Sequence, residues 1–354
     1  MKFIKLLCVL LAMLFACSVL FTGCGESEES KGGSKEDIKA KNDITGTADN
    51  KTDDDVSTSD PVGDEIIDSD EEEEYIAEDF AWTFEDGILT ISGNGAMPDY
   101  ESDYDYDQKR IVSTAPWDRY LGDIEEVIIE KGITSVGDDA FYWCDSLEKV
   151  TLPDGLTRIG KKAFSHCTRL KHISLPDSLT SIDDRAFYYN YALDSIFVPK
   201  NVADIGERAF SDCKYLVKID VSEENVSFAS KDGVLFNKGM TELIAYPNNK
   251  SFYGIYHVPK GVKSIGDCAF YGCDRVEAVY MDDGLERIGS WAFDGCYNLK
   301  TVKIPANVTS IHVLVFGYAN NVEKITFGGT VAQWNAFGVA EIENATVHCS
   351  DGDI

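Results

Sequence analysis

From Ile124 onward, apolar and polar positions alternate with a fixed beat. Apolar starts fall at Ile124, Leu147, Leu170, Leu193 and Leu216, each 23 residues apart, and resume at Tyr253, Val276, Leu299 and Val322 with the same spacing. Leu216 to Tyr253 is 37 residues, so 14 extra residues are inserted there. One unit reads LEKVTLPDGLTRIGKKAFSHCTR, 147–169. The alternation of Val150 and Leu152 predicts a short strand whose Lys149 and Thr151 face away from the core. Pro153 cannot donate to a ladder and ends it. Leu156 and Ile159 supply further inward contacts, Gly160 permits a tight corner, and AFSHC is expected to return the chain as a short helical turn.

A unit of this size cannot close a core alone, but stacked units can. The phrase recurs because each side chain stacks on its equivalent one rung away. Phe141, Phe164, Phe187, Phe210, Phe270, Phe293 and Phe316 form one expected row; Cys144, Cys167, Cys213, Cys273 and Cys296 form another. Two units depart from the pattern. The unit from Leu170 carries Asp183 for Gly and Asn190 for Cys; the unit from Leu299 carries His312, Val315 and Ala319 for Gly, Ala and Cys. Both are expected to be strained or loosened rungs. The predicted fold is a β-rich solenoid of 23-residue repeats, with a parallel sheet on a concave face and short helical turns on the other side.

These residues resemble the BspA-like leucine-rich repeat family of bacterial surface proteins, whose pattern is LxxIxLPxxLxxIGxxAFxxC. WTFEDGILTISGNGAMPDY, 82–100, and Ala115-Pro116-Trp117 are similar to that family's N-terminal cap. DGVLFNKGMTELIAYP, 232–247, is similar to its inserted hairpin, and ITFGGTVAQWNAF, 325–337, to its C-terminal cap. The likeness spans about 79–354. It implies a leucine-rich-repeat solenoid capped at both ends, and a role in adhesion. It is weak on function, because function lives in sites grafted onto folds. The expected organisation is a cap at 79–123, repeats at 124–321 with a hairpin near 222–250, and a last strand and cap at 322–354.

The N-terminal 23 residues read as a secretory signal: Lys2 and Lys5, then an almost wholly apolar run over 6–21 that is short for a membrane-spanning helix, which needs about 20 residues. Leu20-Phe21-Thr22-Gly23-Cys24 resembles a bacterial lipobox, with Phe21 in place of the usual residue. The resemblance implies diacylglyceryl transfer to the Cys24 thiolate and cleavage before it. Two acyl chains matter, since one holds a membrane only marginally. Residues 24–78 hold 20 Asp and Glu against five Lys and no aromatic residue before Tyr75. Such a segment cannot bury enough surface to offset its ordering entropy. It reads as an acidic tether with a root-mean-square reach of roughly 40 Å. The expected location is the extracytoplasmic face of a bacterial membrane, or the cell surface. The whole chain carries −30, which argues against a nucleic-acid partner, since phosphate binding needs clustered Lys and Arg.

Chemistry is sparse. Five thiols at one repeat position read as small buried apolar groups, and their spacing is not that of a zinc site; Cys268 and Cys349 lie outside the row. No two of the five histidines are spaced as HExxH, and no GxSxG or phosphate loop is present. Asp103, Asp105 and Asp107 alternate like the first ligands of a calcium loop, but Gln108 stands where that loop needs Gly and Thr114 where it needs Glu. They read as a solvated cap loop. No catalytic residue, metal or cofactor is assigned. The outward rows of the strands bring Phe197, Ile255, His257 and Tyr280 out of the core, and exposed aromatics on a rigid surface suit recognition. Phe197, His257 and Tyr280 are the expected anchors, with Lys218 and Lys303 giving orientation. The expected function is non-enzymatic display of a surface for an extracellular protein or glycan. The alternatives are a purely structural envelope component, or a surface hydrolase with two acids roughly 5–9.5 Å apart across a pocket.

Overall fold

The computed structural model describes residues 75–77, 80–250, 254–342 and 345–354. The expected signal segment, Cys24 and nearly all of the tether lie outside the described residues. A strand at Tyr75–Ala77 lies inside the stretch read as tether and pairs antiparallel with Phe80–Glu85.

A typical rung contributes a long strand and, nine residues on, a two-residue strand, as in Lys149–Thr151 and Arg158–Ile159. Equivalent strands pair in parallel one repeat apart: Val127 with Val150, Ile196 with Ile219, Val279 with Val302. This is the expected solenoid, with its core between a long-strand face and a turn side. Inward positions are closed to solvent, including Leu147, Leu156, Ile159 and Leu170 at 0% exposure. Gly160 does not adopt a left-handed backbone. Its requirement is close approach: a Cβ there would lie 2.6 Å from Asp138 Oδ1 and 2.7 Å from Asp138 N.

The AFxxC segments are turns, not the expected helical turns. Ala163 N donates to Gly160 O and Ser165 N to Lys162 O, but Phe164 N donates to Ala186 O of the next rung. The same inter-rung bond recurs from Phe141 N to Ala163 O and from Phe187 N to Ala209 O. An amide that bonds its neighbouring rung cannot also bond four residues back, and in this unit the left-handed Lys162 (φ 54°) and His166 (φ 63°) interrupt the spiral twice.

The phenylalanine row exists as two columns. The first is headed by Trp117, stacked on Phe141 at 5.6 Å, and continues through Phe164 and Phe187 to Phe210 at 5.2, 5.7 and 5.9 Å. The second is headed by Tyr246, stacked on Phe270 at 4.8 Å, and runs to Phe293 and Phe316. Between the columns stands the insertion, a three-stranded antiparallel meander of Phe228–Lys231, Val234–Asn237 and Glu242–Ala245. Its middle strand is buried on both faces. Leu235 packs into the N-terminal core, while Val234 and Phe236 pack into the C-terminal core. Alternation sends successive side chains to opposite faces, so this strand is a partition between two cores. Glu242–Ala245 then pairs in parallel with Ser264–Ile265 and restarts the two-residue ladder.

The two departing units differ. In the unit from Leu170 the long strand is not formed, leaving Lys149–Thr151 and Ser195–Val198 in separate sheets. The unit from Leu299 is not loosened: Thr301–Ile304 and Ser310–Ile311 both pair, because Val315 and Ala319 fill their core positions at 0% and 1% exposure.

At the N-terminal end, Ile88–Gly93 pairs in parallel with Glu126–Ile129, and the Trp117 indole N–H donates to Ala140 O at 2.8 Å. Arg158 joins this cap to the repeats by pairing with Asp99 at 3.0 Å, with Asp183 at 2.7 Å and with Asp138. At the other end, a helix at Val331–Phe337 begins with a Thr330–Gln333 capping box and ends on Gly338 at φ 66°. Trp334 from this helix packs on Phe327.

Candidate functional site

The outward rows of the long-strand face are where the alternation placed them. Phe197 is 53% exposed and Ile255 48% exposed; His257, Lys218 and Lys303 are exposed and Tyr280 is half-buried. Ala278, on the same rows, is covered.

Three of the five candidate residues fall on consecutive rungs. His257 is paired with Tyr280 in the parallel register and Tyr280 with Lys303. The His257 and Tyr280 rings lie 5.1 Å apart, tilted by 40°. Phe197 and Lys218 are not part of this cluster. They sit on strands Ser195–Val198 and Lys218–Val221, which belong to a different sheet. The turn of the meander stands in the ladder at that point: Gly233 O accepts from Ile219 N at 2.8 Å, and a Cβ on Gly233 would lie 2.6 Å from Lys218 Cβ. Lys250 Nζ also donates to Asp232 O in this turn. Lys218 is further occupied by Asp220, Nζ to Oδ2 at 2.5 Å. The insertion therefore divides the surface that the 23-residue beat alone would make continuous.

The acidic cap segment is a hairpin of Ser102–Asp105 and Arg110–Ser113. Asp105 accepts from Asp107 N, Gln108 N and Gln108 Nε2, which lowers its pKa and closes the turn. Among the described residues no group of three His, Cys, Asp or Glu side chains is placed to hold a metal ion. The described cysteines, including Cys268 and Cys349, are unbonded to one another. Burial pushes the thiols of Cys144, Cys167, Cys213, Cys273 and Cys296 up, away from the nucleophilic thiolate.

A second aromatic array lies on the turn side, where the strand alternation gives no guidance. Trp143, His166 and Tyr189 occupy one repeat position, each with a left-handed backbone (φ 68°, 63° and 66°). Gly272 and Gly295 occupy it in later units, at φ 70° and 68°. Trp143 stacks on His166 at 4.2 Å and 13°, and His166 on Tyr189 at 4.6 Å and 20°. The legible signal is three rings, 23 residues apart, one place before the cysteine position.

The family described as BspA type leucine-rich repeat region, in six copies, matches residues 119–232 and 247–354. No curated protein matches the chain. Among solved structures, a leucine-rich repeat protein from Eubacterium ventriosum is 25% identical, with 78% of this chain and 83% of that one covered and a TM-score of 0.56. The pneumococcal vaccine antigen PcpA is 22% identical over 79% of this chain and 88% of its own, with a TM-score of 0.55, a likeness of fold. With the rungs, both caps and the meander accounted for, the chain belongs to the BspA-type leucine-rich-repeat family.

Proposed function

We propose that this protein is a non-enzymatic recognition module of the bacterial cell surface, lipid-anchored through Cys24, which binds an extracellular protein or glycan on its long-strand face. The observation that carries the reading is the row His257, Tyr280 and Lys303, three outward side chains on adjacent paired strands. A rigid sheet holds them with little entropy left to lose on binding, which favours anchors of this kind. Among the described residues no helix is long and apolar enough to cross a membrane; the proposed attachment is read from the lipobox-like segment ending at Cys24.

A screen of the chain against extracellular proteins and glycans, repeated with Tyr280→Ala, tests the recognition. Truncation should weaken the partner found by about 1–3 kcal/mol and leave the melting temperature in place. Wild-type binding by Tyr280→Ala together with loss in Lys161→Ala, on the turn side, would reverse the assignment. Fatty-acid labelling in cells tests the anchor: wild type should take the label and Cys24→Ala should not.

A further inference from the structure

We propose a second site on the turn side, beside the N-terminal cap, that takes a neutral saccharide on the outer face of Trp143, with Asp139, Ser102 and Lys162 supplying polar contacts. Four observations converge there.

Trp143 ends the stacked column. His166 covers one face, Tyr142 meets it edge-on at 5.8 Å and 73°, and 40% of the residue stays exposed. The backbone beneath it is left-handed, a conformation in which a bulky side chain is an outlier and Gly is at ease. Asp212, Gly272 and Gly295 hold the same left-handed conformation at this position without a ring. Stacking on His166 offsets part of the cost of placing an indole there.

The polar half of the site is already desolvated and incomplete. Asp139 is 9% exposed and its Oδ1 has no hydrogen-bond partner; neither does the buried Ser102 Oγ. Such groups cost free energy until something bonds them. Burial pushes the Asp139 carboxyl up, opposed by Lys162 and by the Ser102 amide, which brings the cap hairpin up to this turn. Lys162 Nζ lies 3.8 Å from Asp139 Oδ1 and 5.2 Å from the centre of the Tyr142 ring, which in turn contacts Trp143 and His166. Tyr142 N donates to Asp139 O within the same turn. The polar and aromatic groups are therefore contiguous.

The ligand class follows from this pairing. A flat apolar face next to a buried acceptor, a hydroxyl and an ammonium matches a pyranose, which has an apolar C–H face and a rim of hydroxyls that both donate and accept. Lys162 and Asp139 offset each other, and the chain's −30 charge repels polyanions. A neutral sugar fits both facts.

The test is isothermal titration calorimetry of the full-length protein with neutral oligosaccharides (maltotriose, cellotriose, mannotriose and chitotriose), with heparin as the anionic comparison. The heat of binding is read without the indole as reporter, so wild type and Trp143→Gly are compared directly. At least one neutral oligosaccharide should bind, and Trp143→Gly should weaken it about tenfold or more while keeping or raising the melting temperature. Asp139→Asn should also weaken it. The proposal is overturned if no neutral oligosaccharide binds at millimolar concentration, if only heparin binds, or if Trp143→Gly binds as wild type. Loss in Tyr280→Ala with retention in Trp143→Gly would overturn it too, and would place sugar binding on the long-strand face.

Discussion

The Cys213 thiol donates to the carbonyl oxygen of Phe187 at 3.1 Å, a side-chain link to the previous rung. Cys167 makes the same bond to Phe141, Cys273 to Tyr246 and Cys296 to Phe270, at 3.3, 3.4 and 3.0 Å. The cysteine row is thus a small buried donor as well as a filler of volume, which explains why it follows the aromatic row so closely.

Asn190 breaks this row. It is fully buried, and neither its Nδ2 nor its Oδ1 has a partner. Asn190→Cys restores the donor and removes two unsatisfied polar atoms. It should raise stability by about 1–2 kcal/mol, measured as a higher denaturant midpoint at unchanged slope. A lower midpoint would show that the amide is bonded in solution.

Position within a column should grade the cost of core truncation. Phe187 is stacked on both sides, by Phe164 and Phe210, whereas Phe210 ends its column at the meander. Phe187→Ala should cost about 4–5 kcal/mol and Phe210→Ala about 3. Lys149→Ala, on the outward row with an exposed ammonium paired to the half-buried Glu126, should cost under about 0.5 kcal/mol. Equal unfolding midpoints for Phe187→Ala and Lys149→Ala would refute the assignment of inward and outward rows.

Asp212 should make stability fall between about pH 4 and pH 6. Burial raises its pKa from the ordinary 3.8 to about 6, aided by Asp274 and Asp294 and opposed by the Tyr188 hydroxyl and Arg208. Above pH 4 the unfolded chain releases this proton while the folded chain retains it, so raising pH favours unfolding until the folded group also ionises. Above pH 6 the penalty is constant. Asp212→Asn should remove that slope and gain on the order of 2–3 kcal/mol at pH 7. Chemical denaturation of both proteins from pH 4 to pH 8 measures it, and parallel curves would contradict it.

Thiol reactivity should follow burial. The Cys213 thiol is pushed up to about 12 by desolvation, and those of Cys167 and Cys296 higher still. In native buffer these three should label with iodoacetamide far more slowly than the partly exposed Cys349, and at similar rates once denatured. Disulfides among them on mass analysis would exclude the buried-thiol row.

What the sequence determined by itself was whatever depends on period. A 23-residue beat with inner alternation at Val150 and Leu152 specifies stacked rungs, the aromatic and thiol rows and the outward rows, because in a solenoid each unit meets only its equivalent. It also placed His257, Tyr280 and Lys303 on neighbouring strands. Tertiary structure decided what breaks the period. Trp117 and Tyr246 occupy the aromatic row without matching its letter, since stacking asks for a flat ring rather than for Phe. AFxxC forms turns because its amides bond the next rung, a competition that no local propensity registers. The insertion reads in sequence as an inserted hairpin, yet it is a three-stranded meander whose middle strand is buried on both faces, and it separates Phe197 and Lys218 from His257, because only in space does Leu235 meet one core and Phe236 the other. The ring column at Trp143 was hidden for a related reason: after a left-handed residue, side-chain direction follows neither the strand period nor the helix period, and only the folded backbone sets where it points.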